Sequence, residues 1–183
     1  MADFNWSPGI GDPSIGGWIT VALYALAAVS ALVTFHSVVD RGESLLWKGL
    51  FFLMVLLGIN KQLDLQSALT ELGRVLANQE GWYDRRQVVQ VWFIVGVAAV
   101  CVFLAVFLLV LARRSPGPTW VALLGMIVVL AFVLIRAASF HHIDRFIGDR
   151  ILGLKWNWVL EMGGISIILL GSEWRRRLAL FHT

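Results

Sequence analysis

The sequence predicts an all-α fold: an integral membrane bundle of five transmembrane helices, with an amphipathic interfacial helix between helices 2 and 3. Three observations carry this. Mean hydropathy is +0.77. The chain is 58% hydrophobic and only 15% charged, against roughly a quarter charged in a soluble domain. Two stretches, 15–39 and 87–112, contain no Asp, Glu, Lys or Arg at all, and each exceeds the ~20 residues that cross a ~30 Å hydrocarbon core at 1.5 Å per residue. The expected spans are about 15–39, 45–62, 87–112, 116–136 and 156–172, with the interfacial helix at about 63–78, all within a single transmembrane domain, 1–183.

The segment before the first span holds Asp3 and Asp12 but no Lys or Arg, so it lacks the basic region of a signal peptide. An acidic tail of this kind is readily translocated. The N-terminus is therefore expected outside and, after five spans, the C-terminus in the cytoplasm. The second span has Lys48 near its start, where a long side chain reaches back to the headgroups. Beyond it, Leu65, Leu69, Leu72, Val75 and Leu76 recur at helical spacing with Asp64, Glu71, Arg74 and Asn78 on other faces, the pattern of a helix lying along the surface. Gln79-Glu80-Gly81-Trp82 interrupts that pattern before the third span. Pro116 and Pro118 mark a tight turn into the fourth. The fifth span contains Glu161.

Basic residues cluster at the ends of apolar runs, where they anchor helices and set topology. Arg113-Arg114 and Arg175-Arg176-Arg177 fall on the expected cytoplasmic side, whereas the external basics alternate with Asp64, Glu71, Glu80, Asp84, Asp144 and Asp149. The net charge of +3 thus belongs to membrane anchoring. With no basic stripe on a soluble stretch, nucleic acid is excluded as a partner. Trp18, Trp92, Trp156 and Trp158 at the outer interface, and Trp47, Trp120 and Trp174 at the inner one, form the expected aromatic belts. The single cysteine, Cys101, has no partner for an intrachain disulfide. His36 reads as an interfacial histidine, since no second histidine at matched depth completes a haem site.

Two apolar runs stop in polar clusters, Asn60-Lys61-Gln62-Leu63-Asp64-Leu65-Gln66 and His141-His142-Ile143-Asp144-Arg145. Five spans place both at one membrane surface. Glu161 enters the last span from that same surface. An ionised carboxylate facing lipid there would cost a few kcal/mol, so Glu161 is expected to face the bundle and meet Lys61, Arg136, Arg145 or a histidine. Asn157, one turn earlier on the same face, extends a polar seam. The candidate site is therefore Asn60, Lys61, Gln62, Asp64, Gln66, Arg145, Asn157 and Glu161. His141, His142 and Asp144 are candidate metal ligands or acid–base groups, although their spacing matches no strong metal signature. No motif specifies a cofactor.

The segments Gly11-Asp12-Pro13-Ser14-Ile15-Gly16-Gly17-Trp18, Asn60-Lys61-Gln62-Leu63-Asp64-Leu65-Gln66 and Phe140-His141-His142-Ile143-Asp144 resemble those of a family of uncharacterised small bacterial integral membrane proteins. The resemblance extends over most of the chain. It implies a multi-pass protein of the bacterial inner membrane and no particular activity.

Two functional readings follow. The first is a non-enzymatic accessory or scaffold subunit packing against partner proteins, pigments or lipids in a larger membrane complex, such as a respiratory or photosynthetic one. Small residues Ala27 and Ala31, and Gly163 and Gly164, would permit close helix approach. The second is a membrane-embedded enzyme or lipid-binding protein with an outer-leaflet His/Asp/Glu/Lys site, in which Lys61 and Arg145 hold an anionic headgroup. A carrier is disfavoured, since no inverted repeat or broken-helix pair is present.

Overall fold

The computed structural model describes residues 12–63, 86–138, 150–151 and 154–180. They form five long helices: α1 (Ile15–Ser37), α2 (Arg41–Leu63), α3 (Arg86–Ala112), α4 (Gly117–Ala138) and α5 (Trp156–Leu180). Strands β1 (Arg150–Ile151) and β2 (Leu154–Lys155) pair antiparallel just before α5, Arg150 opposite Lys155 and Ile151 opposite Leu154. The expected interfacial helix at 63–78 lies outside the described residues beyond Leu63.

Local chemistry sets where the helices start. Ser14 caps α1 from an extended conformation, its Oγ accepting the Gly17 amide at 3.1 Å. Asp12 in turn accepts the Ser14 hydroxyl at 2.6 Å and the Ser14 amide at 3.2 Å. Asp40 caps α2, its Oδ1 accepting the Glu43 amide at 2.8 Å. That cap moves the start of α2 back from the expected 45 to Arg41. Hydrophobicity marks the hydrocarbon crossing, whereas capping marks the helix, and here the two differ by a turn. Pro118 sits in the first turn of α4, where a missing amide hydrogen removes no helical bond. α5 runs past the expected end at 172 to Leu180, because Arg175, Arg176 and Arg177 continue the helix.

Four of the five helices are long and apolar enough to cross a membrane: α1, α2, the 91–112 part of α3 and the 117–137 part of α4. This composition points to a multi-pass membrane protein. α5 is as long but more polar. Contacts between named residues give the helix directions. Only residues 38–40 join α1 to α2, and Tyr24, well back from the end of α1, lies beside Gly58, well beyond the start of α2. Gly42 and Gly49 of α2 lie beside Leu111 and Leu108 of α3 in descending order, so each of these neighbours is antiparallel. On α5, Trp158, Glu161 and Ser172 meet Gly16, Tyr24 and Ser30 of α1 in ascending order, so α1 and α5 are parallel. α4 runs against α5, Gly125 facing Gly164 and Ala122 facing Gly171. The end of α2, the end of α4 and the starts of α1 and α5 therefore gather at one end of the bundle.

The most extensive interfaces are α4 with α5 and α1 with α2, followed by α1 with α5. In hydrocarbon, helices gain little from excluding water and associate through close van der Waals packing. Small residues supply it. Ala27 and Ala31 are wholly buried. A Cβ on Gly125 would lie 2.6 Å from the Gly164 carbonyl oxygen, and one on Gly171 would lie 2.6 Å from the Ala122 nitrogen. Gly164 thus fulfils its expected role, while Gly163 has nothing within 4 Å of that position. Larger side chains (Leu46, Trp47, Leu50, Met54, Leu123, Met126, Ile165 and Ile168) complete the core. α3 stands at the edge, its apolar window only 11% buried.

Trp18, Trp92, Trp120 and Trp174 are exposed, as belt residues should be. Trp47 is a correction. It is fully buried, because its indole N–H donates to Glu43 at 3.4 Å inside the bundle.

Candidate functional site: two buried carboxylate clusters

Glu161 lies five residues into α5, roughly 8 Å along its axis, and only 3% of its side chain is exposed. Its Oε2 accepts from Lys61 Nζ at 3.0 Å and its Oε1 from the Tyr24 hydroxyl at 3.2 Å. The cluster draws on α1, α2 and α5. Lys61 is equally enclosed, at 7% side-chain exposure, with Asp12 Oδ2 a further 3.7 Å from Nζ. The expectation that Glu161 turns inward to a basic partner is met, with Lys61 as that partner. An isolated ion at this depth would be expensive, and pairing plus a hydroxyl donor is what makes an embedded carboxylate tolerable.

Asp12, just before the start of α1, adds a second, partly exposed carboxylate near Lys61. Burial pushes its carboxyl pKa up, but the Ser14 hydroxyl and amide and the Lys61 charge outweigh that and hold it below the ordinary value.

Beside the pair is a cavity of about 150 Å³. Its polar lining is Tyr24, Asn60, Lys61, Arg136 and Glu161, and its apolar wall includes Leu57 from α2, Phe93 and Val97 from α3, and Phe132 from α4. All five helices contribute.

A second cluster closes the opposite end. Glu43, 2% exposed, receives Arg175 Nε at 2.7 Å on Oε1 and a second guanidinium nitrogen at 3.1 Å on Oε2. The hydroxyl of Thr119 and the indole of Trp47 also donate to Oε1. Bidentate geometry of this kind is the strong form of a carboxylate–guanidinium bond. Sequence reasoning passed over Glu43 and placed Arg175 with the basic anchors at the cytoplasmic helix ends. A signal was present nonetheless. Positions 43, 46, 47, 50, 54 and 61 follow helical spacing down one side of α2, and the apolar ones are core residues, so Glu43 and Lys61 share the buried stripe. Positions 161, 165, 168, 172 and 175 do the same on α5.

Of the candidate residues, Lys61 and Glu161 are brought together, and Asn60 joins them at the cavity. Gln62 has a buried Oε1 without a hydrogen-bond partner. Asn157 is within α5, its side chain outside the description. Asp64, Gln66, His141, His142, Asp144 and Arg145 lie outside the described residues. Among the described residues no group of three His, Cys, Asp or Glu is placed to hold a metal. His36 is exposed, its ring edge against Phe35 with centroids 4.7 Å apart.

Compared with protein-family models, with curated proteins and with solved structures, the chain has no significant match.

Proposed function

We propose that the chain is a non-enzymatic scaffold subunit of the bacterial inner membrane, a five-span bundle whose work is to present a rigid apolar surface to partner proteins in the bilayer. α5 is the fifth span. Its 25 residues extend about 37 Å at helical rise, it lies alongside two apolar helices, and its carboxylate is turned inward. The observation that carries the reading is α3. It is the most apolar of the candidate spans, with a hydropathy of 3.2, and the least covered by its own chain. Phe103, 67% exposed, stacks on Phe107 with centroids 6.2 Å apart and their rings outward. The interior supports the same role, since both buried carboxylates are fully engaged in holding helices together.

In this reading the N-terminus lies outside and the C-terminus in the cytoplasm, where Arg113-Arg114 and the Arg175–Arg177 run meet the cytoplasmic headgroups. Light scattering on the protein purified from its native membrane in mild detergent, with detergent mass subtracted, tests the scaffold role. The expected result is a defined assembly containing a partner protein in fixed ratio, lost in a Phe103→Gln/Phe107→Gln variant. A lone 20.4 kDa chain overturns it.

A further inference from the structure

We propose that the bundle end opposite the Lys61 cavity binds an anionic phospholipid, held where the start of α2 meets the end of α3. Four cations gather there. Arg41 opens α2, Arg113 and Arg114 follow α3, and Lys48 lies two turns into α2, all four exposed. The two helices touch at this level, since a Cβ on Gly42 would lie 3.5 Å from the Leu111 carbonyl oxygen. The other cations at this end are taken, Arg175 by Glu43, and Arg176 and Arg177 by Glu173. Among the described residues, no hydrogen bond or ion pair engages the side chain of Arg41, Lys48, Arg113 or Arg114. Asp40, the remaining acid of these helix ends, caps α2 instead. The chain beyond α5, 181–183, adds no Asp or Glu.

Lys48 carries the argument. It comes seven residues after Arg41, so it lies on the same face of α2, about 10 Å further along the axis. Leu45, Phe52 and Leu56 share that face and are exposed, so Lys48 stands in the row turned to hydrocarbon. An ammonium group there needs an anion. Cα–Cβ bonds lean toward the start of a helix, which for Lys48 is toward Arg41, and its stem reaches back to headgroup level. A phosphodiester between Lys48 on one side and Arg41, Arg113 and Arg114 on the other meets an ammonium and guanidinium forks that suit its oxygens. A zwitterionic headgroup would bring its own cation among these four. An acidic segment of a water-borne partner would meet the arginines but not a lysine two turns inside the apolar row. The site requires only that α2 and α3 lie in a bilayer, for which both are long and apolar enough. It is independent of the scaffold reading, which rests on the outer face of α3.

Native mass spectrometry of the full chain, released from nanodiscs containing equal phosphatidylglycerol and phosphatidylcholine, tests the site. The expected result is retention of phosphatidylglycerol in preference to phosphatidylcholine. Lys48→Gln should lower that preference about fivefold, the effect of one cation beside an anionic lipid, and Arg113→Gln/Arg114→Gln should lower it further. Arg176→Gln, at the same end but bonded to Glu173, should leave it unchanged. Circular dichroism of each variant checks that it folds. Full preference in the folded Lys48→Gln or Arg113→Gln/Arg114→Gln variant overturns the proposal. An equal loss in Arg176→Gln also overturns it, because the charge would then act diffusely. Equal retention of the two lipids by the unaltered protein overturns it and leaves these cations to an acidic partner segment. Release of the lipid by millimolar inorganic phosphate at constant ionic strength overturns it as well, because a free anion would then be the ligand.

Discussion

Arg175 of α5 and Glu43 of α2 are joined by two nitrogen–oxygen contacts, 2.7 and 3.1 Å, between helices that share no extensive interface. At the other end of the same two helices, Lys61 meets Glu161. Each helix therefore carries its carboxylate toward its own start and its base toward its own end, on one face. Only an antiparallel arrangement matches both pairs. A parallel one would oppose like charges twice.

Breaking the first clamp should be costly. Glu43→Ala leaves Arg175 without its carboxylate and Thr119 and Trp47 without an acceptor, and is expected to lose about 3 kcal/mol or more. The double variant Glu43→Leu/Arg175→Met should be more stable than Glu43→Ala, since no buried charge is orphaned. Reversible unfolding in mixed detergent micelles measures both. A loss under about 0.5 kcal/mol for Glu43→Ala would show that the pair holds nothing.

The Lys61–Glu161 clamp should register as coupling. Lys61→Met and Glu161→Gln each leave a buried partner uncompensated, so in a double-mutant cycle their effects are expected to fall short of additivity by at least about 1 kcal/mol. Asp12→Asn should couple to Lys61 more weakly, at 3.7 Å and with Asp12 partly exposed. Strict additivity of Lys61→Met and Glu161→Gln would mean that the bond does not form in the bilayer.

Two kinds of glycine should respond with opposite sign. A methyl on Gly171 would meet the backbone of Ala122 and Pro118 at 2.6 and 2.8 Å, atoms that move only if α4 leaves α5. Gly171→Ala is expected to destabilise by about 1–3 kcal/mol. Gly96→Ala and Gly163→Ala enter open space and should be neutral or stabilising by up to about 1 kcal/mol through helix propensity. The same unfolding assay ranks them, and a common sign would contradict the α4–α5 packing.

Asp12 gives the pH dependence. Its folded pKa is lowered, so the fold favours the ionised form. The stability it adds is complete above the unfolded value near 3.9 and disappears as pH falls through the folded value. The difference between wild type and Asp12→Asn should accordingly be flat from pH 8 to 5 and shrink in more acid solution. A gap that widens on acidification would reverse the sign.

Much of this was legible in the residues. Apolar run length located five helices, and the end of α2 meets the end of α4 at the cavity between Asn60, Lys61 and Arg136. Glu161 was legible as an inward carboxylate because lipid would not accept it. Trp47 was misread because an aromatic residue near a helix end looks interfacial until its position on the buried stripe is considered. The notches at Gly125 and Gly171 had no sequence signal, since a glycine reads the same whether it faces lipid or a neighbouring backbone.

By itself, the sequence determined that four of these helices are long and apolar enough to cross a membrane and where their polar ends fall, because hydrocarbon rejects charge regardless of how helices are arranged. Only the tertiary structure decided partners: that Lys61 takes Glu161 and Asp12, that Arg175 reaches across to Glu43, and that the space left beside the first pair has a polar wall. Those are properties of helix rotation and neighbour order, which side-chain bonds and close glycine contacts fix and hydrophobicity does not.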